Sequence, residues 1–261
     1  MLPLIPLPYE PIIFGTKVNV HLVLEYLAFF AGFRYYLYLR KRSKDNITTN
    51  NRLSIIIGAI FGALFFSRFF AFLEDPPLHH TQGIISILNN KTIMGGLFGG
   101  LLGVELAKKI IGEKQSSGDL FTLPIILGII IGRLGCFLSG IKEFTYGKET
   151  STVLGMNLGD GLPRHPIALY EIVYLMGIFF WIKLLQKSPQ PLKNGSYFKI
   201  FMIGYFSFRF MIEFLKPNSF HIFGLSSIQY LCLLCLLYYS KSILEAILEA
   251  IQYAYKKLYL L

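Results

Sequence analysis

The chain has 261 residues, 54% of them hydrophobic and only 15% charged, with a formal net charge of +10. A soluble domain of this size carries about 25% charged residues, so the composition excludes an ordinary soluble fold and points to the membrane. The positive charge is no sign of a nucleic-acid partner, because the basic residues stand in short clusters between apolar runs, where lysine and arginine set membrane topology.

In chain order, the amino-terminal stretch MLPLIPLPYEPIIF lacks a basic segment and contains four prolines. It does not resemble a cleaved signal peptide, and the first membrane helix is expected to stay as an anchor. The apolar runs predict helices at about 19–39, 52–73, 94–111, 121–140, 167–186, 197–215 and 225–244. Spanning the hydrocarbon core takes roughly 20 mostly apolar residues. The expected fold class is therefore all-α, about seven transmembrane helices in one bundle, with residues 1–261 forming a single polytopic domain. The third run opens GGLFGGLLG, and small residues let helices approach closely in lipid. The segment 241–261 is amphipathic and either continues the last helix or lies on the cytoplasmic surface.

The loops alternate in charge. One set holds Arg40, Lys41, Arg42, Lys44 and Arg52, then Lys108, Lys109 and Lys114, then Lys183, Lys187, Lys193 and Lys199, then Lys241, Lys256 and Lys257. The other set is poorer: Lys17, Lys91, Lys142, Lys148, Arg164 and Lys216. Positive residues stay inside, which places the amino terminus outside and the carboxy terminus in the cytoplasm. Cys136, Cys232 and Cys235 all lie in apolar runs without a histidine or second cysteine pair at ligand spacing, so they read as small core residues. No metal and no cofactor is expected.

Four arginines remain, Arg34, Arg68, Arg133 and Arg209, with Glu25, Glu105, Glu171 and Glu213 in or beside apolar runs. An ionisable residue at membrane depth costs a few kcal/mol and is a candidate functional group. Arg34 can snorkel to the interface, and Glu105 can pair with Lys108 or Lys109 one turn on. Glu25 stays undecided. Arg133 is flanked by Gly132 and Gly135, which leave room beside its guanidinium; Arg209 and Glu213, four apart, share a helix face. These three form either a structural ion pair or a phosphate site. The phosphate site is preferred, because guanidinium binds phosphate bidentately. The loop 141–166 brings Glu143, Tyr146, Lys148, Asp160, Arg164 and His165 to the same, outer side, and Glu171 sits one turn into the next helix, where it can orient a basic residue.

The motifs GRLGCFLSG (132–140), LPRHPIALYE (162–171) and GYFSFRFMIEFLKP (204–217) resemble the prolipoprotein diacylglyceryl transferases; MGGLFGG (94–100) and Arg68 in FFSRFF fit more weakly. The resemblance implies transfer of a diacylglyceryl group from phosphatidylglycerol to the lipobox cysteine of a preprolipoprotein, with release of glycerol-1-phosphate, at the outer side of the bacterial inner membrane. It implies that Arg133 binds the lipid headgroup, with Arg68, Gly95, Gly96, Arg164, Tyr170 and Glu171 also on the substrate side, and that Arg209 and Glu213 belong to the catalytic apparatus. Membrane lipids and preprolipoproteins are the implied partners.

The chain departs from the family pattern at several points. Met94 stands where the family has histidine, Cys136 where it has asparagine, and Ser139-Gly140-Ile141 where it has Asn-Gly-Glu, with an acid only at Glu143. The tyrosine motif of the first helix is not cleanly present, Tyr26 lying near it. The proton step then falls to His165 or Glu143, histidine being better matched to neutral pH; His165 can also be a loop hydrogen-bonder only. The rival readings are a non-catalytic phospholipid-binding relative, a transferase with another acceptor, and a small-solute transporter. The last lacks the internal repeats such proteins show.

Overall fold

A computed structural model describes residues 6–43, 46–74, 90–190, 192–217 and 222–258. Residues 1–5, Lys44 and the side chains of Lys256 and Lys257, used above for topology, lie outside them. The helices are α1 (Val20–Arg42), α2 (Thr49–Glu74), α3 (Ile93–Ile111), α4 (Asp119–Leu138), α5 (Ile167–Gln186), α6 (Ser196–Ile212), α7 (Ser227–Tyr238) and α8 (Ser240–Leu258). Six of the seven expected helices appear within a few residues of their predicted bounds, and α1 opens where Asn19 caps Leu22 N at 3.0 Å.

Four of them, α1, α2, α4 and α5, are long and apolar enough to cross a membrane, and α7 with α8 makes a fifth if that bent pair counts as one span. Their outer surface fits such a role. Of the 23 residues of α1 only Ala28 and Tyr36 are buried, while Phe29, Phe30 and Phe33 are exposed. A contiguous exposed apolar face of that kind marks contact with a membrane or partner.

One expectation needs correction. The last predicted helix, 225–244, breaks: α7 ends at Tyr238 and the next helix leaves at 60°. Leu231, Cys232 and Cys235 in α7 are wholly buried, whereas α8 alternates apolar residues with exposed Glu245 and Glu249, so the chain turns where the pattern stops being apolar all round. The described residues are mostly helical, as an all-α membrane protein requires. Two short antiparallel ladders exist, β1 (Ile12–Ile13) with β2 (Thr16–Lys17) and β3 (Met156–Asn157) with β4 (Pro163–Arg164). The second closes because Asn157 Oδ1 accepts from the N–H groups of Gly159 and Gly161, at 2.9 and 3.0 Å, an Asx turn that no helical periodicity announces.

Helices pack in the pairs α2 on α3, α1 on α4, α4 on α5 and α6 on α7. The α2–α3 contact is built by reciprocal glycines. A Cβ on Gly62 would stand 2.1 Å from the Gly99 carbonyl oxygen, one on Gly99 2.3 Å from that of Gly62, and one on Gly103 2.1 Å from that of Gly58. Close backbone approach is what small residues supply in a membrane helix pair. The core beside it is made by Leu175, Ile178 and Ile182 of α5, Phe201, Met202 and Phe206 of α6, and Leu231, Cys232 and Cys235 of α7.

Side-chain contacts sort the helix ends into two groups. At one end lie the starts of α1, α3 and α5 with the ends of α2, α4 and α6, joined by pairs such as Lys91 with Glu25, Lys216 with Glu74 at 3.0 Å and Arg209 with Glu171 at 3.3 Å. At the other, Asn51 meets Glu113 at 3.0 Å, Arg52 meets the Ser117 carbonyl at 3.3 Å, and Asp119 accepts from Gly195 and Phe198 N–H groups. Helices consecutive in the chain from α1 to α6 thus run in opposite directions.

The glycine contact gives a position-specific expectation. Gly99→Val should lower the midpoint of thermal unfolding in detergent, by the equivalent of about 1–3 kcal/mol for forced overpacking. Gly100→Ala, whose Cβ would meet nothing nearer than 3.7 Å, should leave it unchanged.

Candidate active site

Three helix ends converge on one carboxylate. Glu171, one turn into α5, is fully buried. Its Oε1 lies 2.9 Å from Arg133 Nε on α4 and accepts from the Tyr205 hydroxyl on α6, while its Oε2 accepts from Arg209 Nη1 at 3.3 Å. Arg209 Nη2 donates to Glu213 Oε2 at 2.9 Å, one turn on. Lys216 continues the chain, with Nζ 3.6 Å from Glu213 Oε1 and 3.0 Å from Glu74 Oε1. Arg133, Arg209, Glu213 and Lys216 are all under 9% exposed. Isolated charges could not be buried here, because desolvation costs several kcal/mol per ion and pairing must offset it. The named network alternates three cations with three carboxylates and sums to neutrality.

The two arginines differ in what they have left to offer. Arg209 spends both terminal nitrogens on carboxylates. Arg133 meets Glu171 with its Nε edge only; its Nη1 faces the Cys136 thiol at 3.9 Å, a weak acceptor. The outer edge of that guanidinium therefore meets no carboxylate among the described residues.

Cys136 joins a second group of side chains. Its Sγ lies 3.6 Å from Nε2 of His21, in the first turn of α1, and His21 Nδ1 lies 3.2 Å from Glu143 Oε1. Gly135 makes this possible: a Cβ there would meet the His21 Cα at 3.3 Å, so glycine lets α1 close onto α4. Gly132, expected to leave space at Arg133, does face open space, with nothing within 4 Å of a Cβ. A small cavity of about 10 Å³ adjoins, lined by Cys136, Phe137, Gly140, Thr145, Tyr146 and Ile167. It has room for about one water.

The remaining predicted residues spread around this centre. His165 Nδ1 is 3.1 Å from the Tyr170 hydroxyl, and its backbone bonds to Gly147 and Lys148, so both side chains brace the loop before α5. Arg164 donates to Asp160 at 2.6 Å, lies 3.8 Å from Glu149 and stacks 5.3 Å from the Tyr146 ring. Gly95 is spent on packing, its notional Cβ 2.5 Å from the Phe66 carbonyl, while Gly96 meets only Ser67, at 3.8 Å. Arg68 donates to the Leu64 carbonyl of its own helix at 3.3 Å. Met94 is buried in the core, and Glu105 pairs with Lys108 at 3.5 Å, as its spacing predicts.

Sequence reasoning missed His21, Tyr205, Lys216 and Glu74. Lys216 counted as a loop lysine and is instead 6% exposed. Tyr205 sits inside the GYFSFRF motif, four residues before Arg209, which was the available signal. His21 lies 115 residues from Cys136 and only the α1–α4 contact joins them.

Two outcomes follow. Glu171→Ala leaves two buried guanidiniums short of an anion and should cost about 3–5 kcal/mol, against about 0–1 kcal/mol for Glu105→Ala at a half-exposed pair; thermal unfolding of both variants in one detergent compares them. At the loop, the Arg164 guanidinium holds the Asp160 carboxyl below the usual carboxylate range. The pair's contribution is therefore full above an ordinary aspartate pKa of about 3.9 and is lost as pH falls through the lower folded value. Amide exchange at Gly161 and Leu162 should accelerate only in that acid window.

The family model of the prolipoprotein diacylglyceryl transferases matches residues 11–243. Among similar proteins is the phosphatidylglycerol–prolipoprotein diacylglyceryl transferase of Oleidesulfovibrio alaskensis, 32% identical over 182 residues, covering 68% of this chain and 65% of that one. That of Bordetella bronchiseptica is 31% identical over 188 residues, 69% and 67% of the two chains, and that of Pasteurella multocida 33% identical over 183 residues, 66% and 62%. The match spans about two thirds of the length of these relatives. The family match over residues 11–243 includes Arg133, Glu171, Arg209 and Glu213, and on it the chain belongs to the prolipoprotein diacylglyceryl transferase family.

Proposed function

We propose that the protein transfers a diacylglyceryl group from phosphatidylglycerol to the thiol of the lipobox cysteine of preprolipoproteins, releasing glycerol-1-phosphate. The observation that carries this reading is Arg133, buried near a helix end and, among the described residues, paired with a carboxylate at its Nε alone, its Nη1 facing the Cys136 thiol. A phosphodiester presents two oxygens at the spacing of a guanidinium fork, and Arg133 has the fork's outer edge to give. The relatives' names supply donor and acceptor: phosphatidylglycerol and prolipoprotein.

The thiolate sulfur attacks C3 of the diacylglyceryl moiety. The C3–O bond breaks, its electron pair goes to the phosphate oxygen, and the glycerol phosphate departs. Arg133 stabilises the charge gathering on that oxygen. Arg209, engaged by Glu171 and Glu213, positions Arg133 through their shared carboxylate. Because the network is neutral as a whole, selectivity for phosphate comes from the local fork and not from a broad positive field.

The same reading places one polytopic domain in the bacterial inner membrane, seven spans with the amino terminus outside and the carboxy terminus in the cytoplasm. The sorting of helix ends and the basic loops at the end opposite Arg133 support it. The site then opens toward the periplasmic side, where a lipid headgroup of the outer leaflet reaches Arg133.

Purified protein mixed with phosphatidylglycerol and a lipobox peptide should release glycerol phosphate. Arg133→Ala should lower kcat about 10²–10³-fold, the loss seen when one charge-stabilising donor is removed, and Arg133→Lys should not restore it, since an ammonium is a point charge without the fork. Buried, proton-inert Met94 favours the alternative of lipid binding without turnover. Phospholipid binding with no release, under conditions where the Bordetella bronchiseptica relative turns over, would decide for that alternative.

A further inference from the structure

We infer that His21 is the base that takes the proton from the acceptor thiol, with Glu143 as its positioning residue and the Cys136 sulfur marking where the acceptor sulfur enters. The inference rests on the transferase reading for its substrate and on the geometry for the residue.

Three observations carry it. First, the imidazole is oriented: Glu143 Oε1 at 3.2 Å from Nδ1 fixes the tautomer with the proton on Nδ1 and leaves the Nε2 lone pair as acceptor. A base held by a third group is the arrangement nucleophile activation requires. Second, Nε2 faces a thiol already, Cys136 Sγ at 3.6 Å, and the same sulfur lies 3.9 Å from Arg133 Nη1. One sulfur atom therefore spans the gap between the base and the guanidinium that takes the phosphate, and the acceptor is itself a thiol. Third, Cys136 lines a small cavity of about 10 Å³ beside the pair, so the space next to its sulfur is not wholly filled by side chains. His165, by contrast, has its Nδ1 engaged by Tyr170 and its backbone bonded to Gly147 and Lys148, in the loop before α5.

The balance is simple. The acceptor thiol replaces Cys136 as hydrogen-bond partner of Nε2, its proton passes to Nε2, the sulfur–C3 bond forms as C3–O breaks, and the imidazolium returns the proton to the departing phosphate. Cys136 is not itself the nucleophile, because a thioether on it could pass the glyceryl carbon onward only by expelling an alkyl thiolate. The titratable groups facing His21 are Glu143 from the loop after α4, Cys136 from α4, with Arg133 on the far side of its sulfur, and Glu25 on its own helix, itself tied to Lys91.

The test is glycerol phosphate release measured across pH on the full-length protein. Wild type should gain activity through a limb between about pH 5 and 8. His21→Gln should lose that limb and about 10²–10⁴-fold in kcat, with phosphatidylglycerol binding to detergent-solubilised protein within twofold of wild type. Glu143→Gln, whose amide oxygen still accepts from Nδ1, should lose less than Glu143→Ala. Cys136→Ala should keep the limb. A His21→Gln variant that retains the limb overturns the inference, as does a Cys136→Ala variant as dead as His21→Gln, which would make Cys136 the reacting group. If wild type releases nothing, the transferase reading fails separately. The base is then decided by alkylation of Cys136 with iodoacetamide, followed by peptide mass spectrometry. His21→Gln should slow it at neutral pH, and an unchanged rate overturns the assignment.

Discussion

The structure turns on a carboxylate that water cannot reach. Glu171 is fully buried, and a carboxylate in that position persists only where cations and hydroxyl donors surround it. Arg133 comes from α4, Arg209 and Tyr205 from α6, and Glu171 itself from α5. One side chain thereby fixes the mutual position of three helices at their shared end. Apolar packing alone would let such helices slide, since lipid tails are as apolar as leucine and give no hydrophobic drive between helices. A directional ion network near the ends, with glycine contacts farther along, sets the register instead.

The glycines work on two scales. Along α2 and α3, Gly58, Gly62, Gly99 and Gly103 bring backbones together and make a stiff pair that backs the site through Glu74, at the end of α2, and its partner Lys216. At the site, Gly135 lets α1 close onto α4 and sets His21 against Cys136. A glycine that reads in sequence as space for a ligand has become space for a neighbouring helix, while Gly132, three positions earlier on the chain, keeps its opening.

What the sequence made legible follows from range. Length and hydrophobicity are local properties, so six helices could be read within a few residues, and Arg209 with Glu213 could be paired from a spacing of four. The break after Tyr238 needed a change of amphipathic pattern to be weighed against an unbroken apolar run. The Asx turn at Asn157 depends on hydrogen bonds that no period encodes. Lys216 looked like a loop lysine because its partners, Glu74 and Glu213, are brought to it by two different helix ends. His21 was invisible for the same reason: Cys136 and Glu143 were each singled out, but the imidazole between them lies more than a hundred positions away. Resemblance to the family drew the eye to residues that match a pattern, and the histidine that the geometry selects is in none of the motifs that carried the resemblance.

The two groups of side chains divide the chemistry by charge. The Arg133–Glu171–Arg209–Glu213 network is ionic, neutral in sum and closed to solvent, so moving a proton within it would leave an unpaired charge in a low-dielectric setting, where such a charge is costly. The His21–Cys136–Glu143 group is nearer the surface, His21 being 20% and Glu143 38% exposed at the side chain. A proton can be gained there and passed out through the loop at smaller cost. Under the proposed reaction the first group receives the phosphate and the second receives the proton. Among the described residues, they join at the contact between Arg133 and the Cys136 sulfur. A lipid phosphate seated on the outer edge of Arg133 would approach that junction and stabilise an imidazolium at His21. Binding of the donor would thus make the base stronger at the moment the acceptor thiol needs it, which couples the order of substrate arrival to the proton transfer without any moving part.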